Sequence, residues 1–258
     1  MTLDTDFHSH VSRSSAQQMV LAAKKRGLRI LGLSEHIFQM KEARAPLEHM
    51  ALEGPMMSFP AYIEAVQTAA REASFDARLG LEIDFIPEKH ESIQTSIQGY
   101  AWDFLIGSVH EVDGEIYERN YEMTREHGEV LWLRYFQLLR EAVSSGSFQV
   151  VSHPVRMRYN NPYLPATFDA ELEHLAAEAT RWDVALELNG FDVLTYPIVV
   201  RRLARACALQ RTPISVGSDA HVPKNVAQAH LQTEALLREA GIRKVRIWKQ
   251  KVAEEYVV

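Results

Sequence analysis

Five apolar runs in this chain each end in a residue type that binds metal ions, and that repeated placement constrains the fold more than any other feature. The runs are Ile30-Leu31-Gly32-Leu33-Ser34-Glu35-His36, Leu79-Gly80-Leu81-Glu82, Phe104-Leu105-Ile106-Gly107-Ser108-Val109-His110, Phe148-Gln149-Val150-Val151-Ser152-His153 and Ile214-Ser215-Val216-Gly217-Ser218-Asp219-Ala220-His221. Ahead of them stands Asp6-Phe7-His8-Ser9-His10. Side chains two apart on an extended strand share a side, so the two imidazoles can share one ion. Six of the eleven histidines therefore sit in or at the ends of strand-like runs. One histidine so placed is ordinarily a hydrogen-bonded core residue; six with the same placement require a common cause. His49, His90, His127, His174 and His230 lie in polar or helix-like sequence and read as surface residues.

Helical patterns separate the runs. Ala16 to Arg26, Phe59 to Ala73, Glu88 to Gln98, Glu126 to Ser144, Phe168 to Arg181, Pro197 to Leu209 and Leu231 to Ala240 carry apolar residues at helical spacing. Val184 to Asn189 reads as a further strand, and Gln39 to Gly54, with Pro46 and Pro55 as breakers, as an excursion above the strand ends. About seven strands alternating with helices imply βαβ units and a parallel sheet. Periodicity does not separate a closed barrel from an open sheet, but the ligand positions do. A barrel gathers the C-terminal strand ends around one point, whereas an open sheet spreads them along a line.

Composition narrows the partners. A chain of 258 residues, 47% hydrophobic, can bury one large core, and no linker-like tract divides it, so residues 1–258 are read as a single domain. The net charge of −6 has the wrong sign for gripping a nucleic acid polymer. The short clusters Lys24-Lys25-Arg26 and Arg243-Lys244-Val245-Arg246 read as solvated element ends. No apolar run approaches the ~20 residues that span a bilayer, so a cytoplasmic protein without a membrane partner is expected. Cys207 is the one cysteine, which leaves no disulfide within the chain.

Imidazole and carboxylate donors without thiolate suit zinc, manganese or iron. His8, His10, His36, Glu82, His110, His153, Asp219 and His221 are too many for one ion of four to six ligands, so at least two are expected. Ions ~3.5–4 Å apart polarise a phosphoryl oxygen and bring a shared water toward a pKa of ~7.

His8-Ser9-His10, Ser34-Glu35-His36, the Glu82 strand, Gly107-Ser108-Val109-His110, Ser152-His153-Pro154 and Gly217-Ser218-Asp219-Ala220-His221 resemble the successive motifs of the polymerase and histidinol phosphatase (PHP) superfamily. Gly80-Leu81-Glu82-Ile83-Asp84-Phe85 and Trp102-Asp103-Phe104-Leu105-Ile106-Gly107-Ser108-Val109-His110 look most like its histidinol-phosphatase branch. The resemblance implies a distorted (β/α)7 TIM-like barrel with two to three divalent ions, hydrolysing a small phosphate monoester, typically L-histidinol phosphate, by attack of a metal-bridging hydroxide. It implies His8, His10, Glu82 and Asp219 around a first ion, Glu82, His110 and His153 around a second, and His36 and His221 near a third. Glu82, Asp219 and His221 are then expected at the reacting centre. Arg156 and Arg158, after His153, are candidates for the phosphate because guanidinium meets its oxygens bidentately.

One departure stands out. The segment Val11-Ser12-Arg13-Ser14-Ser15-Ala16-Gln17, where many relatives carry a third-ion ligand, offers neither imidazole nor carboxylate. Two tight ions and a weak or absent third are therefore expected, with Arg13 supplying charge in its place. The alternatives are a broader phosphoesterase acting on nucleotides or other small phosphates, an amidohydrolase-type metal hydrolase, and a non-catalytic metal-binding barrel.

Overall fold

The computed structural model describes residues 2–117 and 123–258. In chain order the first elements are β1 (Thr5–Asp6), α1 (Ala16–Lys25), β2 (Ile30–His36), α2 (Phe59–Ala73), β3 (Asp76–Asp84), α3 (His90–Ser96) and β4 (Phe104–Ser108). A small hairpin, β5 (Glu111–Val112) and β6 (Glu115–Ile116), precedes α4 (Arg125–Ser144), β7 (Val150–Val151) and α5 (Phe168–Arg181). Then come β8 (Ala185–Asn189), α6 (Gly190–Thr195), α7 (Pro197–Gln210), β9 (Ile214–Gly217), α8 (His230–Ala240), β10 (Lys244–Lys249) and β11 (Val252–Val257). Ser15 and Ser58 start α1 and α2 by accepting from Gln18 N and Ala61 N, which satisfies amides the first turn leaves unpaired.

Seven strands pair in parallel in the order β1-β2-β3-β4-β7-β8-β9. The first and last meet. Phe7 N donates to Val216 O at 2.9 Å, Asp219 N to His8 O at 2.8 Å, and Ser9 bridges Ala220. The sheet is thus a nearly closed barrel within its helices, as expected from the sequence.

The register sorts the barrel interior into levels. On β3, Gly80, Glu82 and Asp84 share one side, as do Phe104, Ile106 and Ser108 on β4 and Ala185, Glu187 and Asn189 on β8. The lower level is a dry floor of Phe7, Ile30, Phe104, Ile106, Val150 and Ala185, closed from below by Ile247 and Trp248. Phe104 lies 5.0 Å from Phe7 and 6.4 Å from Trp248, ring centre to ring centre. Its ring fills the space that glycine leaves on two neighbouring strands: a Cβ on Gly32 would lie 2.7 Å and one on Gly80 2.4 Å from Phe104 Cζ.

The β10–β11 hairpin that brings Trp248 is absent from the sequence reading. Its two-residue turn uses Gln250 and Lys251 at φ 51° and 62°, without the Asn-Gly or Asp-Gly pair that signals such a turn. Tertiary contacts hold it instead: Asp103 accepts from Gln250 N, and Arg78 donates to Trp248 O and pairs with Glu254. The helix α6 is also unforeseen. Two strands are shorter than the apolar runs suggest, because the runs continue into the loops that carry His110 and His153.

Phe104→Ala removes the centre of the floor and should cost about 3–5 kcal/mol of stability, measured by urea unfolding. A loss under about 1 kcal/mol would show that the hairpin, and not the ring, closes the barrel.

Candidate metal centre

Above the floor the strand ends deliver all eight expected ligand residues to one buried chamber. Glu82 lies at its middle. Its Oε1 is 3.0 Å from His153 Nε2, 3.3 Å from His8 Nε2 and 3.5 Å from His110 Nε2, and its Oε2 is 2.6 Å from His36 Nδ1 and 3.7 Å from His10 Nε2. Asp219 Oδ1 is 3.2 Å from His10 Nε2 and 3.8 Å from His8 Nε2. His36 Nε2 and His221 Nε2 are 3.3 Å apart. Three overlapping groups have donor atoms close enough for one ion each: His8, His10 and Glu82; His36, Glu82 and His110; and His10, His36 and His221.

The chemistry of these atoms fits divalent ions. His8 Nε2, both ring nitrogens of His10, His36 Nδ1 and Glu82 Oε2 are buried without a hydrogen-bond partner. Several lie close to one another, yet their directions make no hydrogen bond: His36 Nδ1 and Glu82 Oε2 are an example at 2.6 Å. Buried polar atoms left unpaired are costly, and so many aimed at a common space are what a cation would satisfy.

The backbone and the surrounding side chains set these directions. His153 and Asp219 have φ of 32° and 56°, left-handed values that L residues rarely adopt. His153 is held there by Tyr135 Oη donating to its carbonyl at 2.9 Å and by its own N donating to Glu187 Oε2 at 2.9 Å. Asp84 pairs with His110 Nδ1 at 2.7 Å and Glu187 with His8 Nδ1 at 2.7 Å, in each case directing Nε2 toward Glu82. Ser108 Oγ donates to Glu82 Oε1 at 2.7 Å. Glu35 accepts from Val11 N and Ser12 N, which fixes the loop after His10.

Charge in the chamber is strongly coupled. Burial works against the charged forms of Glu82 and Asp219, but the imidazoles, joined for Asp219 by Arg156, hold both well below the usual carboxylate range. Burial likewise opposes a charge on His8, yet Glu187, Glu82 and Asp219 outweigh it and raise its pKa. For His153, burial, reinforced by Arg156, prevails over Glu82 and lowers the pKa. The carboxylates that favour a proton on His8 equally favour a metal cation beside it, so binding an ion releases protons.

The arginines divide. Arg156 is buried, its Nε donating to Asp192 Oδ1 at 2.7 Å and one terminal nitrogen to both Asn189 Oδ1 and Asp219 Oδ2, at 2.9 and 2.7 Å. It lines the chamber and braces Asp219. Arg158 lies over the Tyr196 ring at 5.6 Å and is not among the residues lining the chamber. Arg13 is half-exposed at the mouth and pairs with Glu53 at 3.1 Å.

Glu53 is a candidate ligand that the sequence reading missed beside the third group. Its Oε2 lies 3.1 Å from His221 Nε2 and 3.8 Å from His36 Nε2. Despite burial, His221 and His36 hold its carboxyl at about 2. It comes from the irregular excursion, where no periodicity marks it; Gln39 Oε1 accepts from its backbone N, and Gly54 packs so tightly on Ser12 that a Cβ would lie 2.3 Å from Ser12 O. The premise that His36 and His221 stand alone is therefore corrected. Glu187 and Glu35 had a signal, an acidic residue inside an apolar strand run. Of the five histidines read as surface, His49, His127 and His174 are exposed, whereas His90 and His230 are partly buried.

The chamber opens into a cavity of about 800 Å³ whose walls include Phe38, Met50, Ile116, Tyr159 and Phe191, with Arg13, Lys224, Asn225 and Gln228 also lining it.

Residues 4–190 match the model of the PHP domain. The chain belongs to the PHP domain family. It is 28% identical to a probable histidinol-phosphatase of Deinococcus radiodurans, across 98% of this chain and 99% of that protein. It is 32% identical to a probable phosphatase of Syntrophotalea carbinolica over 106 residues, 40% of each. In fold the PHP chain resembles a Lactococcus lactis histidinol phosphate phosphatase solved with zinc, L-histidinol and phosphate, at a TM-score of 0.75 and 19% identity, covering 97% of this chain and 98% of that one.

Glu82→Ala and Asp219→Ala should each strip ions from the purified protein, by at least about tenfold in affinity for manganese, whereas His49→Ala and His174→Ala should retain the wild-type content in elemental analysis. Equal ion content in all four variants would contradict the site.

Proposed function

We propose that this PHP protein is a metal-dependent phosphatase acting on a small phosphate monoester, with L-histidinol phosphate the favoured substrate. The observation that carries the reading is the convergence of six imidazoles with Glu82 and Asp219 on one buried point at the base of an open cavity. The full-length similarity to a probable histidinol-phosphatase supports the substrate.

His8, His10, Glu82 and Asp219 would hold a first ion and Glu82, His110 and His153 a second. Glu53, His36 and His221 would hold a third, more firmly than the two imidazoles alone would allow. Zinc, manganese or iron held there supplies Lewis acidity toward a phosphoryl oxygen and acidifies water.

The chain's own residues do the rest. Glu82 is common to the first two groups and lies against His36 of the third, and Asp219, braced by Arg156, keeps its carboxylate aimed at His10. The aromatic floor excludes water from below. Arg13, on a long half-exposed side chain at the mouth, is placed to leave Glu53 for an entering phosphate, while Phe38, Tyr159 and Phe191 offer flat apolar surface to the organic part. His221, partly exposed beside Glu53, stands at the entrance to the reacting centre.

Protein stripped by chelation should lose more than about a hundredfold in kcat/KM, about 2.7 kcal/mol of transition-state stabilisation, and regain it with manganese or zinc. A panel of histidinol phosphate, nucleoside monophosphates and p-nitrophenyl phosphate tests the substrate; a higher kcat/KM for a nucleotide would favour the broader phosphoesterase reading. Glu53→Gln should lower the number of retained ions by one and leave the others bound. Arg13→Ala should raise KM if the guanidinium holds phosphate equally in ground and transition states, and no change in KM or kcat would return Arg13 to a purely surface role.

A further inference from the structure

β8 brings no ligand to the chamber, yet two of its inward residues touch four of the groups that define it. Glu187 is 2% exposed and carries two separate duties. Its Oε1 pairs with His8 Nδ1 at 2.7 Å, and its Oε2 accepts from His153 N at 2.9 Å. His8 belongs to the first proposed ion group and His153 to the second. Two residues on, Asn189 donates through one nitrogen to Glu187 Oε2 at 3.0 Å and Asp219 Oδ2 at 3.3 Å, and its Oδ1 accepts from Arg156. The neighbouring strand is shaped around this contact. A Cβ on Gly217 would lie 2.2 Å from His8 Cβ and 2.5 Å from Glu187 Oε1, so a side chain there would separate the pair.

We propose that Glu187 is a positioning residue that couples two of the metal groups, setting the ring tautomer of His8 with one oxygen and the backbone of His153 with the other. This rests on the reading of the chamber as a metal site. An ionised carboxylate only accepts hydrogen bonds. Its pairing with His8 Nδ1 therefore keeps a ring proton on Nδ1, so that Nε2, 3.3 Å from Glu82 Oε1, is the nitrogen whose lone pair an ion takes. The second oxygen acts on backbone rather than on a ring. His153 holds φ at 32°, and its N–H to Glu187, with Tyr135 at its carbonyl, keeps the imidazole directed at Glu82. By contrast the Asp84 carboxylate meets His110 and the Arg156 guanidinium meets Asp219.

The two oxygens separate experimentally. In E187Q the amide has one acceptor oxygen and one donor nitrogen. Two donors, His153 N and Asn189 Nδ2, meet at Oε2, so the amide oxygen belongs there and the NH2 faces His8. The His8 proton is then driven to Nε2, which removes that nitrogen as a ligand. Metal-stripped wild type, E187Q, E187A and D84N are titrated with manganese by calorimetry, with circular dichroism to confirm folding. E187Q should weaken the first-group ion about 10–100-fold and spare the second, D84N should weaken a different ion by a similar factor, and E187A should weaken both. Affinities in E187Q equal to wild type, or E187Q and D84N weakening the same ion, would overturn the proposal. Should E187Q fail to fold, ring-nitrogen NMR of the zinc-loaded wild-type protein decides: a proton on His8 Nδ1 with the ion at Nε2 supports the coupling, and a proton on Nε2 with the ion at Nδ1 overturns it. Because the readout is ion binding, a protein that binds the ions but hydrolyses no phosphate ester would count against the phosphatase reading and not against this one.

Discussion

The Glu82 carboxylate is the constraint around which the rest is built. It is 1% exposed and lies within 4 Å of five imidazoles. Removing such a charge from water is expensive, and the lone pairs turned toward it return little unless a cation joins them. The backbone adds to the cost. His153 and Asp219 sit in left-handed conformations, each costing roughly 1–3 kcal/mol for a non-glycine residue. A chamber of this kind persists because other parts of the fold over-determine it. The aromatic floor under it is closed by Trp248, the His8 and His110 rings are tied on their far sides by Glu187 and Asp84, and the His153 backbone is tied by Tyr135 and Glu187.

Much of this was legible in the sequence because it is periodic. Apolar runs ending in His36, Glu82, His110, His153 and His221, with the stretch before His8 and the run Val184 to Asn189, gave seven parallel strands, and the requirement that the ends meet chose a barrel over an open sheet. The alternation that puts Glu82 inward also puts Asp84 inward. What escaped was not periodic. Glu53 lies in an excursion of short 3-10 turns, 17 residues beyond His36, and reaches the chamber because Gln39, Ser12 and Arg13 hold its loop. The β10–β11 hairpin turns through Gln250 and Lys251, whose strained backbone is stabilised by Asp103 rather than by local preference. Arg156 was read as a phosphate ligand from residue type and position alone; only the folded chain reveals that Asp192, Asn189 and Asp219 already engage it.

The division of labour among strands follows from the same geometry. β2, β3 and the loops after β1, β4, β7 and β9 present the proposed ligands, whereas β8 presents Glu187 and Asn189, which hydrogen-bond to His8, His153 and Asp219. A parallel barrel brings every strand end to one face, so a strand without a ligand is still well placed to orient those of its neighbours. The cavity mouth, lined by Arg13, Lys224 and the aromatic side chains Phe38, Tyr159 and Phe191, is built from other residues than the chamber.

The central claim is that Glu82 is shared among ions held by the surrounding imidazoles. Anomalous diffraction from crystals grown with manganese tests it directly. Density peaks within coordination distance of both Glu82 oxygens, flanked by His8 and His10 on one side and His110 and His153 on the other, are the predicted result. A chamber without anomalous density, or ions bound only at the exposed surface, would contradict it.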